Sequence, residues 1–212
     1  MTEPKNAPGQ KASRSAASRQ RRSARAVAAE RQKKQAMIRW ASIAVVAVIV
    51  IGIAALIVYQ PRQNSASIPE GTLSYPYAGA EHSNDPVTYA ENPPVGGVHH
   101  PTWQNCGYYP APVPDENAVH SLEHGAIWIT YQPDLPQQQV DILRNLAESQ
   151  SFILVSPREG IPTPVVASAW GRQVQLESAE DERLDQFIRR FRLSPEAPEP
   201  GAACGGGSSV ML

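Results

Sequence analysis

The sequence predicts an α+β domain, a mixed sheet with two helices packed on it, preceded by one transmembrane helix. Three observations carry this reading. The run from Ala41 to Tyr59 contains no charged residue. Beyond Ala126 the hydrophobic periodicity reads strand, helix, strand, strand, strand, helix, an α+β order compatible with thioredoxin-like or ferredoxin-like layering. Charge also divides along the chain: residues 1–39 hold eleven basic and two acidic residues, and the remainder holds eight basic and eighteen acidic ones. Portions of +9 and −10, in a chain whose formal net charge is −1, point to two different surroundings.

Residues 1–39 are rich in Ser, Ala, Arg, Lys and Gln. They offer too little apolar surface to offset the entropy of ordering, so they read as a basic disordered cytoplasmic tail. Residues 40–59 read as the membrane helix. Its uncharged part spans about 28 Å at ~1.5 Å per residue, enough to cross the hydrocarbon layer. Trp40 and Tyr59 bracket it at headgroup depth. The basic flank stays in the cytoplasm, which places everything after Gln60 outside. A cleaved signal peptide fits less well, because its apolar region is shorter and nearer the start. The lipid bilayer is the expected partner, an envelope protein is a further candidate, and nucleic acid is not expected, since topology already accounts for the basic tail.

Residues 60–91 form a linker in which Pro61, Pro69, Pro76 and Pro86 favour extended chain and turns. The globular extracytoplasmic domain is expected over 92–204. Pro93-Pro94-Val95-Gly96-Gly97 signals a turn. Ala126–Tyr131 is a β-branched and aromatic run, read as a buried strand. Asp134 is placed to cap a helix from about Leu135 to Ser149, with Val140, Leu143, Leu146 and Ala147 on one face. Phe152–Ser156 is a second strand. Pro164–Trp170 and Arg172–Leu176 follow, joined by a two-residue hairpin at Gly171-Arg172. Ser178 is placed to cap a last helix whose Leu184, Phe187, Ile188 and Phe191 recur at helical spacing. Residues 205–212 are Gly/Ser-rich and expected to be a flexible tail.

The residues able to carry chemistry cluster. All five histidines, His82, His99, His100, His120 and His124, lie between residues 82 and 124. His120-Ser121-Leu122-Glu123-His124 has the spacing that puts both imidazoles on one helical face, able to share a metal. With His99 or His100 this gives three imidazoles suited to copper or zinc, and Glu123 serves as a ligand or orients one of the rings. Two other readings compete. The histidines could simply brace a loop through ordinary hydrogen bonds, in a structural or partner-binding module of the cell envelope. The H-x-x-E-H spacing also occurs in metal-dependent hydrolases, although a short helix followed at once by Gly125 and a strand leaves no obvious third-ligand helix.

Cys106 and Cys204 are expected to pair, as thiols outside the cytoplasm usually do, against the alternatives of a free or metal-bound Cys106. There is no C-x-x-C, so dithiol redox chemistry is not expected even on a thioredoxin-like fold. Trp103, Tyr108, Tyr109, Trp128 and Trp170 read as core or as pocket lining. No phosphate loop, dinucleotide fingerprint or nucleophile elbow occurs.

Several stretches, Pro93-Pro94 through His99-His100-Pro101, Trp103, Cys106-Gly107, Pro112-Val113-Pro114, Val119 through Gly125, Val166 through Gly171, and Ala197 through Gly201, belong together. As a set they resemble the bacterial domain-of-unknown-function family DUF3105. The resemblance implies a membrane-anchored member with a domain over roughly this range. It implies no activity, so the metal expectation rests on the histidines alone.

Overall fold

The computed structural model describes residues 37, 40, 45, 47–53, 67–77 and 81–212. The chain divides into two units, Met1–Tyr59 and Gln60–Leu212. In the first, residues 47–53 are helical, and Val48, Ile49, Val50, Ile51 and Ile53 are exposed. No helix among the described residues is long and apolar enough to cross a membrane. The basic tail expected at 1–39 and most of the span expected at 40–59 lie outside the described residues.

The second unit is α+β, built on a mixed six-stranded sheet. Its strands are β1 (Leu73–Ser74), β2 (Gly107–Tyr108), β3 (Ile127–Tyr131), β4 (Ile153–Pro157), β5 (Val165–Ala169) and β6 (Arg172–Leu176). Three helices accompany them: α1 (Asp115–Glu123), α2 (Gln137–Ser149) and α3 (Glu182–Phe191). Across the sheet the order is β1-β6-β5-β3-β4-β2. β3 and β4 are parallel, as are β4 and β2, while the pairs on the β5, β6 and β1 side are antiparallel. The parallel pair needs a crossover, which α2 supplies.

Side chains alternate across the sheet, so each strand feeds two cores. Ile127, Ile129, Ile153, Val155, Val174 and Leu176 face one side and pack with Val140 and Leu143 of α2 and with Leu184, Phe187, Ile188 and Phe191 of α3. The expected apolar stripe of the last helix is therefore buried as a whole. On the other face Trp128 and Leu154 pack beneath Ala118, Val119 and Leu122 of α1, with Tyr109 and Trp170 alongside. Trp128 and Trp170 are thus core residues. The indole N–H of Trp128 donates to Ser156 Oγ at 3.0 Å, which satisfies its one polar atom in a fully buried place.

Several local expectations shift. Helix α2 begins at Gln137, with Pro136 rather than Asp134 at the cap position, because proline's fixed φ suits the helix entrance. Asp181, not Ser178, caps α3: its carboxylate accepts from the Arg183 backbone N–H at 2.9 Å, while Ser178 Oγ accepts from Glu180 N–H in the turn before. The β5–β6 turn is Trp170-Gly171, with Ala169 paired to Arg172. Gly171 has φ +66°, and a Cβ there would sit 2.8 Å from the Tyr75 carbonyl. Only glycine meets both conditions.

The C-terminal stretch expected to be loose is instead tied to residues 103–112. Asn105 N–H donates to the Ser208 carbonyl at 2.7 Å, Ser208 N–H to Trp103 O at 2.8 Å, and Leu212 N–H to Pro112 O at 2.8 Å. Gln104 Nε2 donates to Val210 O at 2.9 Å. Cys106 and Cys204 form a disulfide, with Cα atoms 5.4 Å apart and a sequence separation of 98. A free or metal-bound Cys106 is thereby set aside, and both cysteines of the chain are accounted for.

Candidate metal centre

The site is built on α1. Asp115 and Glu116 in its first turn suit the positive end of the helix dipole, and Arg158 grips the Asp115 carboxylate. Burying Ala118, Val119 and Leu122 against the sheet turns the opposite face, with His120, Glu123 and His124, toward the loops. His124 is the C-cap residue, and Gly125, with φ +87°, ends the helix. A Cβ on Gly125 would lie 3.0 Å from Leu193 Cα, so the chain passes here only without a side chain.

Three further segments close around this face. The 99–104 loop is fastened to α1 by His100 N–H to Glu116 O at 3.3 Å, Gln104 N–H to Asn117 O at 2.9 Å, and Ser121 Oγ–H to Gln104 O at 2.7 Å. Residues 81–83 pair with His99 in a parallel bridge: His99 N–H donates to Glu81 O at 3.0 Å and Ser83 N–H to His99 O at 2.7 Å. That pairing sets His82 beside His99. Finally, Glu199 N–H donates to Glu123 O and Gly201 N–H to His124 O, both at 3.0 Å, laying 199–203 over the helix end.

The result is a convergence of ring nitrogens on one carboxylate oxygen. Glu123 Oε2 lies 2.8 Å from His99 Nε2 and 3.6 Å from Nε2 of both His82 and His120. One ligand atom from each of His82, His99, His120 and Glu123 lies within 4.8 Å of the other three. The side chains of His99 and Glu123 are 0% and 2% exposed, and that of His82 is 43% exposed. His124 sits at the edge, its Nε2 3.0 Å from His120 Nε2 and 3.9 Å from the Glu199 carboxylate.

The outer hydrogen bonds fix which ring atoms face inward. Nδ1 of His99 contacts Gly97 O at 2.8 Å, that of His120 contacts His100 O at 2.7 Å, and that of His124 contacts Ala203 O at 2.6 Å. A carbonyl oxygen only accepts, so each Nδ1 carries the proton. Each Nε2 of a neutral ring therefore presents a lone pair to the interior. The same arrangement orients histidines that bind metals. It also creates two contacts between acceptors, His99 Nε2 against Glu123 Oε2 and His120 Nε2 against His124 Nε2. Each requires a positive centre, either a proton or a metal ion. Burial drives the His120 imidazole down to about 4, with the neighbouring His124 and His99 adding to the effect and the His100 carbonyl and Glu123 opposing it. Its ring is neutral near pH 7 and ready to donate its lone pair.

Of the residues singled out in sequence, the structure brings His99, His120 and Glu123 together and places His124 next to them. His100 takes a different part: its Nδ1 accepts from Thr102 N–H at 2.9 Å, and it reaches the centre only through the carbonyl that holds His120. His82, assigned to the linker, joins the cluster. Its signal in the sequence was membership of the only histidine-dense stretch. Trp103 walls the outer side, its ring 5.2 Å from that of His124 and 5.8 Å from that of His120.

Fold and site together define an α+β domain with a cluster of three histidines and a glutamate, buried except at His82, that could hold a metal ion. A family model described as "Protein of unknown function (DUF3105)" matches residues 81–206, more than half of the chain, and the chain belongs to that family. The match covers every residue of the cluster. No curated protein and no solved structure matches the chain.

Proposed function

We propose that this chain is a membrane-anchored, extracytoplasmic metal-binding protein whose His82, His99, His120 and Glu123 hold one zinc or copper ion. The observation that carries the reading is the set of Nε2 lone pairs turned inward by carbonyl-bound Nδ1 atoms onto a buried carboxylate. A four-coordinate ion with bonds of about 2.0–2.2 Å separates its ligand atoms by roughly 3.4 Å, so movements of about 1 Å close this set around it. Three neutral imidazoles and one carboxylate suit zinc or copper, and with both cysteines paired no thiolate competes. Metal binding without catalysis fits better than hydrolysis. Glu123, the residue that would activate a water in the H-x-x-E-H scheme, lies among the candidate ligands. The strand order β6-β5-β3-β4, antiparallel then parallel, supports thioredoxin-like rather than ferredoxin-like layering.

The membrane anchor rests on the uncharged run 41–59 and the basic flank before it, with the exposed apolar side chains of residues 48–51 as further support. Placement of the domain outside also suits its disulfide. Equilibrium dialysis of the purified full chain against zinc, followed by metal analysis, is expected to give one ion per chain, and retention of none rejects the metal reading. A Leu212→Cys chain on intact cells is expected to react with an impermeant thiol reagent. Labelling only after lysis rejects the topology.

A further inference from the structure

Two exposed side chains border this otherwise buried centre. His99, His120, Glu123 and His124 are all buried, whereas the ligand His82 is 43% exposed on one side and the Glu199 carboxylate beside His124 is 61% exposed on the other. The acceptor atoms leading inward from Glu199 form an unbroken series. Glu199 Oε2 is 3.9 Å from His124 Nε2, which is 3.0 Å from His120 Nε2, which is 3.6 Å from Glu123 Oε2. Two atoms bound to one ion through bonds of about 2.1 Å can be no more than roughly 4.2 Å apart. Every step in the series falls inside that limit, so neighbouring atoms can hold the same ion at once.

We propose that Glu199 and His124 form a transfer path by which a divalent metal ion passes between solvent and the buried centre. The ion exchanges one ligand at a time along the series and is never stripped of ligands in the low-dielectric interior, where a bare charge is most costly. The fold fixes both stations. His124 is oriented by Ala203 O, and Glu199 is seated by its own N–H on the Glu123 carbonyl, in a segment that Cys204 ties to Cys106. Neither residue belongs to the four-atom centre itself. A path speeds filling and emptying equally and leaves the equilibrium unchanged, which separates it from a ligand role and from simple attraction of cations to a surface carboxylate.

The inference rests on the proposed metal centre, and its test separates the two. Zinc uptake by the full chain, and zinc loss to a chromophoric chelator, are followed by stopped flow for the wild type and for Glu199→Gln. The side chain of Glu199 is exposed, so the variant is expected to fold as the wild type does, and far-UV circular dichroism verifies it. The expected result is roughly tenfold slower uptake and roughly tenfold slower loss, with affinity within about threefold of the wild type. His124→Gln is expected to slow both directions in the same way. Unchanged rates in Glu199→Gln overturn the path while leaving the centre intact. Slower uptake with unchanged loss overturns it in favour of surface attraction, and faster loss overturns it in favour of a ligand role. A wild type that takes up no zinc overturns both path and centre.

Discussion

Replacing His99 and His120 together by glutamine is expected to abolish stoichiometric zinc binding, with a loss of affinity of roughly 100-fold or more. Changes to groups that merely orient a ligand already cost ~10–100-fold, and this variant removes two inward lone pairs. His100→Gln is the matching control. The His100 ring bonds to Thr102 N–H, and only its backbone carbonyl supports the centre, so zinc affinity should stay within a few-fold of the wild type. The double variant and this control are predicted to differ by about two orders of magnitude. Isothermal titration of each with zinc checks this. Equal losses in both would mean that the adjacent histidines act as a loop brace.

The second large effect concerns the disulfide. Replacing Cys106 and Cys204 together by serine is expected to lower unfolding stability by about 2–5 kcal/mol, measured by chemical denaturation. The bond closes a loop of 98 residues that contains α1, most of the sheet and α3, so the unfolded chain gains much freedom when it is cut. The backbone bonds from residues 207–212 to 103–112 remain, which keeps the loss near this range and not at complete unfolding. A change below about 1 kcal/mol would show that those bonds alone fasten the C-terminus.

Much of the architecture was legible because its causes are local. Short apolar and β-branched runs mark β3, β4 and β5, which are buried throughout, and the stripe Leu184, Phe187, Ile188, Phe191 marks α3, since one apolar face must be buried. His120, Glu123 and His124 were legible for the same reason, as positions i, i+3 and i+4 of a short helix. His82 was not. Its place depends on the parallel bridge to His99, a pairing between distant segments that leaves no periodic trace. The choice between His99 and His100 was equally hidden. In extended chain neighbouring side chains point to opposite sides, so one of the two had to face away, and the bonds to Glu81 and Gly97 decide which. The C-terminal stretch misled by composition. Its glycines suggested looseness, yet Gly207 lies so close to Trp103 that a Cβ would fall 2.5 Å from the Trp103 carbonyl, and small residues here permit close packing.

X-ray absorption at the zinc edge, recorded on the loaded full chain and on a His82→Gln variant, counts the imidazoles around the ion. The expected result is nitrogen and oxygen neighbours at about 2.0–2.2 Å with three imidazole contributions, falling to two in the variant. A shell with sulfur, or one with imidazole scattering unchanged by loss of His82, would contradict it.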